Sequence, residues 1–263
     1  MAFSFGKMND PDATLFIQVS ELTGSTERGA IVDLVKDLKS NNLWSKMKAV
    51  YPFVGGTAAS HKWNLKDPRD VDAAFRLTFS GGWTHSSTGA LPNGTTGYAD
   101  TFLVPATHLT ENTTHLSYYS RTNTNTLSAD IGSAGANPNR LEIVIRDNSW
   151  SISDHYNYNT NRVFITKLSD ARGFFVSSRT TSTSHKYWRN NSQISSTNTG
   201  TSSGFSSLTN KTYLALLAIP GGGSYYGDKE CAFATIGDGL TDTDAANLYT
   251  IVQKYQTTLG RQV

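Results

Sequence analysis

The chain has 263 residues and a net charge of +2, with only 37% hydrophobic and 17% charged residues. So small a charge argues against a nucleic-acid-binding protein, which would carry a strong basic patch. Neither a membrane-spanning segment nor a signal peptide is expected, because no apolar run is long enough for either. The single cysteine, Cys231, excludes a disulfide framework and is expected to be a buried apolar residue.

The first 54 residues are predicted to form a helical segment. Asp10-Pro11 has the pattern of a helix N-cap, and Ser25 is the expected cap of a second helix. A third short helix is predicted over residues 43–51, where apolar residues recur at helical spacing until Pro52. Short helices bury little apolar surface alone, so the segment is expected to attach to a partner or to brace the following domain.

From Asp72 onward, short apolar runs alternate with clusters of turn residues, which predicts an antiparallel sandwich or barrel. The predicted strands cover residues 73–79, 98–104, 115–121, 141–146, 150–158, 162–166, 174–179, 185–189, 213–219 and 230–236. Leu141, Ile143 and Ile145 alternate with Glu142, Val144 and Arg146, so the two sets face opposite sides of a sheet. The run 213–219 is almost entirely apolar, as expected of a central strand.

The end of the chain is predicted as a strand at 231–236, a turn at 237–239 and a helix at 241–260. Thr241 is a fitting N-cap, and Gly260 fits the left-handed position that ends a helix. An apolar stripe runs through the predicted helix and consists of Leu248, Ile251, Val252, Tyr255 and Leu259. Residues 55–263, including this helix, are therefore predicted to form one β-sandwich domain.

Several stretches carry a resemblance to a known family. They are LWSKMKAVYPF (43–53), HKWNLKDPRDVDAA (61–74), GGWTHS (81–86), NGTTGYADT (93–101), GFFVSSR (173–179) and the closing residues 232–263. In these stretches the chain resembles the concanavalin A-like (laminin G-like) lectin/glucanase-fold modules of tailed-bacteriophage virion surface proteins. The resemblance implies a mainly β, concanavalin A-like jelly-roll β-sandwich, with a short N-terminal helical segment and a C-terminal amphipathic helix.

The resemblance also implies a function and a setting. The expected protein is a non-enzymatic structural component exposed on the virion surface, such as a head fibre, capsid decoration or tail fibre. It would be synthesised in the host cytoplasm, form a homo-oligomer and contact other virion proteins. Its expected activity is adhesion to host or environmental glycans, and no cofactor is expected.

Two alternatives stay open. A glucanase-type polysaccharide depolymerase would place paired carboxylates on one strand face. Glu142 is alone in its strand, and Asp228 and Glu230 share a face but are expected to form a solvated ion pair with Lys229. No catalytic residue is therefore predicted. The other alternative is a purely structural module that contacts neighbouring subunits and binds no ligand.

No metal ligand is predicted either. Asp238, Asp242 and Asp244 miss the spacing of a calcium loop, and capping of the following helix accounts for two of them. The six histidines show no pair at metal-ligand spacing, and His61 and His85 are expected to be hydrogen-bonded loop residues. Calcium elsewhere in the sandwich loops stays open.

Three clusters combine aromatic rings with polar side chains, the mixture that proteins use to bind sugars. The first contains Trp83 and His85, and the second, within residues 150–158, contains His155 and Tyr156 near Asp154. The third consists of His185, Tyr187, Trp188, Arg189 and Asn190. These residues are the predicted glycan-binding candidates, although strand alternation turns about half of such aromatics toward the core.

Overall fold

A computed structural model describes residues 10–166 and 168–263 of the chain. Residues 1–9, which belong to the predicted helical segment, lie outside the described residues, as do the side chains of residues 157, 158 and 166. The described part is mainly β and folds as an antiparallel sandwich, which confirms the predicted fold class.

The described residues contain six α-helices. They are α1 (Pro11–Val19), α2 (Ser25–Ser40), α3 (Ala58–His61), α4 (Pro105–His108), α5 (Tyr158–Asn161) and α6 (Asp242–Thr258). At the start of α1, the Asp10 carboxylate accepts the backbone N–H groups of Asp12 and Ala13 at 3.0 and 3.4 Å. No helix among the described residues is both long enough and apolar enough to cross a membrane.

Seventeen strands are described. They are β1 (Met47–Tyr51), β2 (Thr78–Ser80), β3 (Trp83–Ser86), β4 (Gly89–Pro92), β5 (Tyr98–Asp100), β6 (Thr114–Ser120), β7 (Ile131–Ala134), β8 (Asn139–Val144), β9 (Trp150–Asn157), β10 (Arg162–Thr166), β11 (Gly173–Thr181), β12 (Ser184–Arg189), β13 (Ser192–Gln193), β14 (Tyr213–Leu214), β15 (Leu216–Ala218), β16 (Ser224–Tyr226) and β17 (Cys231–Gly237). One sheet has eight strands in the order β13-β12-β11-β6-β17-β4-β3, with β1 also paired to β17. The other has seven strands in the order β10-β9-β8-β7-β14-β5-β2, and β15 and β16 form a separate hairpin.

The predicted third helix is wrong. Residues Trp44–Lys46 form one 3₁₀ turn, and Met47–Tyr51 are strand β1, antiparallel to β17. The apolar spacing that suggests a helix also suits this strand, because Met47 and Val50 pack toward the helices while Tyr51 faces the sandwich core. The predicted cap Ser25 is also one residue off, since Gly24 occupies the N-cap position of α2.

Other strand predictions also needed correction. The predicted strand at 213–219 divides at Ala215, whose φ of 59° ends β14 and sends β15 out of the seven-stranded sheet. In the predicted strand at 73–79, residues 73 and 74 belong to a 3₁₀ turn, residues 75–77 have no regular structure, and only residues 78 and 79 lie in β2. Strands β3, β4 and β7 lie in stretches for which no strand was predicted.

The sheets and helices bury three apolar cores. The largest side chains between the two sheets include Tyr118, Tyr156 and Phe175. Helices α1, α2 and α6 cover the other face of the eight-stranded sheet, where Phe16 and Val252 belong to the same core as Phe233. The β15–β16 hairpin contributes Leu217 to a smaller core on the far face of the seven-stranded sheet.

The predicted C-terminal helix is confirmed. Thr241 and Asp244 form a capping box at its start, and Gly260 has a φ of 66° just after its end. The following Arg261 is buried and donates to the backbone carbonyls of Pro52 and Phe53 at 2.8 and 2.6 Å. The last turn is therefore tied to the segment that follows β1.

Candidate functional site

The candidate site lies on the outer face of the seven-stranded sheet, the face that points away from the eight-stranded sheet. Strand alternation selects which side chains lie there. They are Arg140, Glu142 and Val144 of β8, Trp150, Ile152 and Asp154 of β9, and Arg162 and Phe164 of β10. The intervening residues of the same strands point into the sandwich.

Two adjoining cavities of about 280 and 250 Å³ open on this face and share Trp150, Ile152 and Arg162. We call them together the outer groove. The three strands form its floor, and the loop before β7 and the β15–β16 hairpin form its other wall, which includes Leu127 and Tyr225. The hairpin covers only part of the sheet, so the remainder of the groove is open.

Two aromatic rings stand at the open end of the groove. Trp150 and Phe164 are 40% and 53% exposed, and their rings meet edge to face with centroids 5.0 Å apart. The turn before β9 fixes Trp150, because its backbone N–H donates to the Asp147 carboxylate at 2.5 Å. Rings as exposed as these present apolar faces to a ligand, whereas most large rings of the described chain are buried.

Charged side chains line the floor beside these rings. Arg162 donates two hydrogen bonds to the Asp154 carboxylate at 2.8 and 2.7 Å, and Arg140 donates to Glu142 at 3.4 Å. Glu142 and Asp154 are cross-strand partners and both are buried. Burial, together with the neighbouring Asp154 charge, raises the pKa of Glu142 to about 8. Glu142 therefore keeps its proton at neutral pH and shares a hydrogen bond with Asp154.

Glu142 is the one carboxyl residue of β8, as predicted, and its partner Asp154 comes from the neighbouring strand β9. Glycosidases separate their two carboxyl groups by roughly 5–9.5 Å, so that a sugar or a water molecule fits between them. Glu142 and Asp154 are instead direct cross-strand partners, and the interaction between their side chains helps to raise the pKa of Glu142. The geometry supports a fixed polar floor for ligand binding better than an acid–nucleophile pair.

The first predicted cluster lies elsewhere, at β3. Trp83 is half-buried, packs edge to face on Phe79 and donates its indole N–H to the carbonyls of Ser80 and Tyr98 at 3.1 Å each. His85 shares a 2.9 Å Nδ1–Nδ1 hydrogen bond with His61, which lies in helix α3. Both histidines are therefore hydrogen-bonded, as predicted, but neither lies in a loop.

The second cluster is divided by strand alternation. His155 and Tyr156 are buried, and His155 points between the sheets, where its Nε2 shares a 2.7 Å hydrogen bond with the Ser177 hydroxyl. Trp150 of the same strand lines the outer groove, and Asp154 is buried on the same side of the strand, paired with the groove residue Arg162. The outward-facing side of this segment thus consists of residues other than the two that were singled out.

The third cluster is largely buried. His185 and Tyr187 lie between the sheets and Trp188 packs under the helices, so none of the three offers a ring face to a ligand. Arg189 donates to the Arg172 carbonyl at 3.1 and 2.7 Å, and Asn190 accepts the Phe174 N–H at 2.9 Å. These contacts hold the end of β12 in place, and the cluster does not converge with the other two.

The predicted solvated ion pair at Lys229 is wrong, because Lys229 is fully buried. Its neighbour Asp228 accepts from the hydroxyls of Thr124, at 2.8 Å, and Thr126. Glu230 accepts from Thr88 at 2.5 Å and Arg121 at 3.0 Å. Both carboxylates are thus engaged within the fold rather than paired across a cleft.

The described part of the chain contains no group of three or more His, Cys, Asp or Glu side chains that could hold a metal ion. Asp242 pairs with Lys186 at 2.7 Å, and Asp244 pairs with Lys46 at 2.5 Å besides capping α6. These contacts give the acidic residues near α6 structural partners.

Sequence reasoning missed Phe164, Arg140 and Arg162. The spacing of Arg162 and Phe164 at i, i+2 on a short strand was an available signal for a shared face. The pairing of Glu142 with Asp154 depends on the register between β8 and β9, which no single segment of sequence contains.

No protein-family model and no curated protein sequence matches this chain. The fold is similar to that of domain 4 of AbnA, a GH43 extracellular arabinanase from Geobacillus stearothermophilus, solved in complex with arabinotriose. The TM-score is 0.50 at 11% identity over 78% of this chain and 98% of that domain. A second similar structure is that of botulinum neurotoxin type C, whose entry into cells is dependent upon interaction with two ganglioside molecules. Its TM-score is 0.51 at 11% identity over 81% of this chain and 53% of that one. Such similarity shows the fold alone, a jelly-roll-like β-sandwich.

Proposed function

We propose that this chain is a glycan-binding adhesion module exposed on a phage particle, and that it binds sugars in the outer groove without hydrolysing them. The observation that carries the proposal is the combination of two exposed rings and a charged floor in one open groove. Trp150 and Phe164 offer apolar faces to the C–H side of a sugar ring. Arg140 and Arg162 place planar guanidinium groups nearby, where sugar hydroxyls need hydrogen-bonding partners.

The shape of the groove suits a chain of sugars. Its two cavities adjoin through Trp150, Ile152 and Arg162, so a ligand that fills both passes beside the exposed rings. The arabinotriose bound to the arabinanase domain and the ganglioside dependence of the toxin agree with a glycan ligand for this fold. We therefore expect affinity to rise with chain length until both cavities are filled.

The direct test is binding of the purified protein to a glycan array, followed by titration of the best ligand. Trp150→Ala and Phe164→Ala are expected to weaken binding at least about tenfold, or about 1.4 kcal/mol. Trp83→Ala is the matched control, because Trp83 is an aromatic candidate outside the groove. Loss of binding in the control but not in the groove variants would move the site to β3.

A depolymerase remains the second candidate, because a glutamate with a raised pKa beside an aspartate is the pair that hydrolysis would use. We assign binding rather than hydrolysis because the two carboxyl groups are direct cross-strand partners and each is hydrogen-bonded to an arginine of the same sheet. Release of reducing ends from a bound polysaccharide, lost in Glu142→Gln, would favour the depolymerase. A bound polysaccharide that stays intact would support the adhesion module.

The virion setting draws its support from the sequence resemblance. We propose that the protein sits on the particle surface as a homo-oligomer, as symmetric virion components do. Mass spectrometry of purified particles and light scattering of the isolated chain test these two statements. A correctly assembled protein that binds neither host cells nor glycans would instead favour a purely structural module.

A further inference from the structure

A second cluster of reactive groups lies inside the sandwich, where β7 and β17 begin. Lys229 lies two residues before β17 of the eight-stranded sheet, and Asp130 lies directly before β7 of the seven-stranded sheet. Both side chains are 0% exposed. Lysines this deeply buried are rare and need a close partner for their charge.

The partners of Lys229 are loosely arranged for an ion pair. Its Nζ lies 3.6 Å from Oδ1 of Asp130, 3.3 Å from Oδ1 of Asp228 and 3.1 Å from the Ser128 hydroxyl. Within residues 10–166 and 168–263, Oδ1 of Asp130 has no hydrogen-bond partner. A buried ion pair is favourable only with good geometry and further hydrogen bonds, so this arrangement gains little as a salt bridge.

The Asp130 carboxyl group is held in a fixed position. Its Oδ2 accepts the Ile145 backbone N–H at 2.8 Å. Its own backbone donates to the Ile143 carbonyl at 3.0 Å and accepts the Ala215 N–H at 2.8 Å. These bonds leave Oδ1 as the oxygen nearest the amine. Burial also raises the pKa of Asp130 to about 6, which favours the neutral acid.

We propose that Lys229 and Asp130 form an intramolecular isopeptide bond, with Asp228 carrying the proton. Proton transfer within the ion pair gives a neutral amine and a neutral acid, and Nζ then attacks Cγ of Asp130. The Ile145 N–H stabilises the negative charge that develops on Oδ2. Asp228 takes a proton from Nζ and delivers it to Oδ1, which leaves as water. One C–N bond forms, one C–O bond breaks, and Asp228 is regenerated without any oxidation or reduction.

The bond joins the two sheets of the sandwich beside the outer groove, since the adjacent Ser128 also lines that groove. A covalent link there keeps the sheets together when a bound surface pulls on the groove wall. The proposal does not depend on glycan binding, and failure of one leaves the other standing.

Mass spectrometry of the full wild-type chain in denaturant tests the proposal. The expected mass is lower than the sequence mass by one water molecule. Trypsin should release residues 122–140 joined to residues 212–254, uncleaved at the modified Lys229. A full sequence mass, with residues 122–140 and 212–229 recovered as separate peptides, would overturn the proposal.

Variants test the role of each of the three residues in forming the bond. The wild-type measurement does not depend on whether a variant folds. Lys229→Met and Asp130→Ala should have the full mass calculated for each variant. Asp228→Asn should slow or abolish the water loss, and linkage as complete and rapid as in wild type would refute the proton-carrier role. The matched control is Lys211→Met, whose lysine pairs with Asp100 at 2.6 Å near the surface and whose loss should leave the cross-link intact.

Discussion

The two faces of the seven-stranded sheet differ although the same strands build both. The inner face meets the eight-stranded sheet, and its polar groups contact one another, as Ser177 of the opposite sheet does with His155 at 2.7 Å and His185 at 3.1 Å. The outer face carries the charges of β8 and β9 and the exposed rings of Trp150 and Phe164. Coverage rather than composition therefore decides which polar and aromatic residues can meet a ligand.

The two faces also hold their titratable groups in opposite states. Burial lowers the pKa of His185 to about 3 and that of His155 well below its ordinary value, so these two inner histidines are neutral because they lack protons. On the outer face, Glu142 is neutral because it keeps its proton. The inner face should therefore be sensitive to acid and the outer face to base.

The largest expected effect is acid unfolding driven by the inner face. Unfolded histidines take up protons below about pH 6.5, whereas His155 and His185 stay neutral in the folded state, so stability falls as the pH drops. Between roughly pH 5.5 and 4, each histidine should lower the free energy of unfolding by about 1.4 kcal/mol for every unit by which the pH falls. The two together should lower it by about 3 kcal/mol per pH unit. His61 and His115 add to the same slope, since burial lowers their pKa values to about 3 and about 4. Urea unfolding at several pH values, compared between the wild type and variants of His155 or His185, isolates the inner pair, and an unchanged slope in the variants would contradict the assignment.

The next largest effect on stability is expected when one hydroxyl group is removed from the hydrogen-bonded cluster between the two sheets. Ser177→Ala removes the hydroxyl that contacts Ser153, His155 and His185. Leaving buried imidazole nitrogens unpaired should cost about 2–3 kcal/mol of the free energy of unfolding. Ser195→Ala is a matched control, because the Ser195 hydroxyl has no hydrogen-bond partner among the described residues. Glycan binding by the folded Ser177 variant should be unchanged, and a loss of binding would mean that the two faces are coupled.

The outer carboxyl pair gives an effect of opposite sign. The folded protein holds the Glu142 proton more tightly than the unfolded chain does, because folding raises the pKa of this group. The resulting contribution to the free energy of unfolding is fully present below about pH 4.5 and is lost as the pH rises toward 8. The expected slope is about −1.4 kcal/mol per pH unit between roughly pH 5.5 and 7.5. Glu142→Gln keeps a donor to Asp154 but cannot ionise, so its stability should change less over that range. Equal slopes for the two proteins would show that Glu142 titrates normally.

Local signals in the sequence predict much of the fold. The helix caps at Asp10 and Thr241 and the alternation of Leu141, Ile143 and Ile145 each belong to one short segment, and the structure confirms them. Strand β1 was mistaken for a helix because only its pairing with β17 distinguishes the two. Tertiary contacts override spacing in so short a run.

The candidate site was harder to predict for the same reason. Sequence identified the segment that contains Trp150 and Asp154, since aromatic and polar residues alternate there. It could not show that helices cover Trp188, or that the hairpin leaves Phe164 open, because both depend on distant elements. Nor could it show that Lys229 is buried against Asp130, a contact between residues 99 positions apart in the chain.

The smallest effect on stability, with a large effect on binding, is expected at the exposed rings. Phe164 is 53% exposed, so Phe164→Ala should lower the free energy of unfolding by less than about 1 kcal/mol. Phe175→Ala is the contrasting variant, because that ring is fully buried between the sheets and its loss should cost about 3–5 kcal/mol. Binding should respond in the opposite order, weakening at least about tenfold in Phe164→Ala and little in folded Phe175→Ala. If both variants lost binding only in proportion to their stability, the outer groove would have no special role, since exposure and function would then be unconnected.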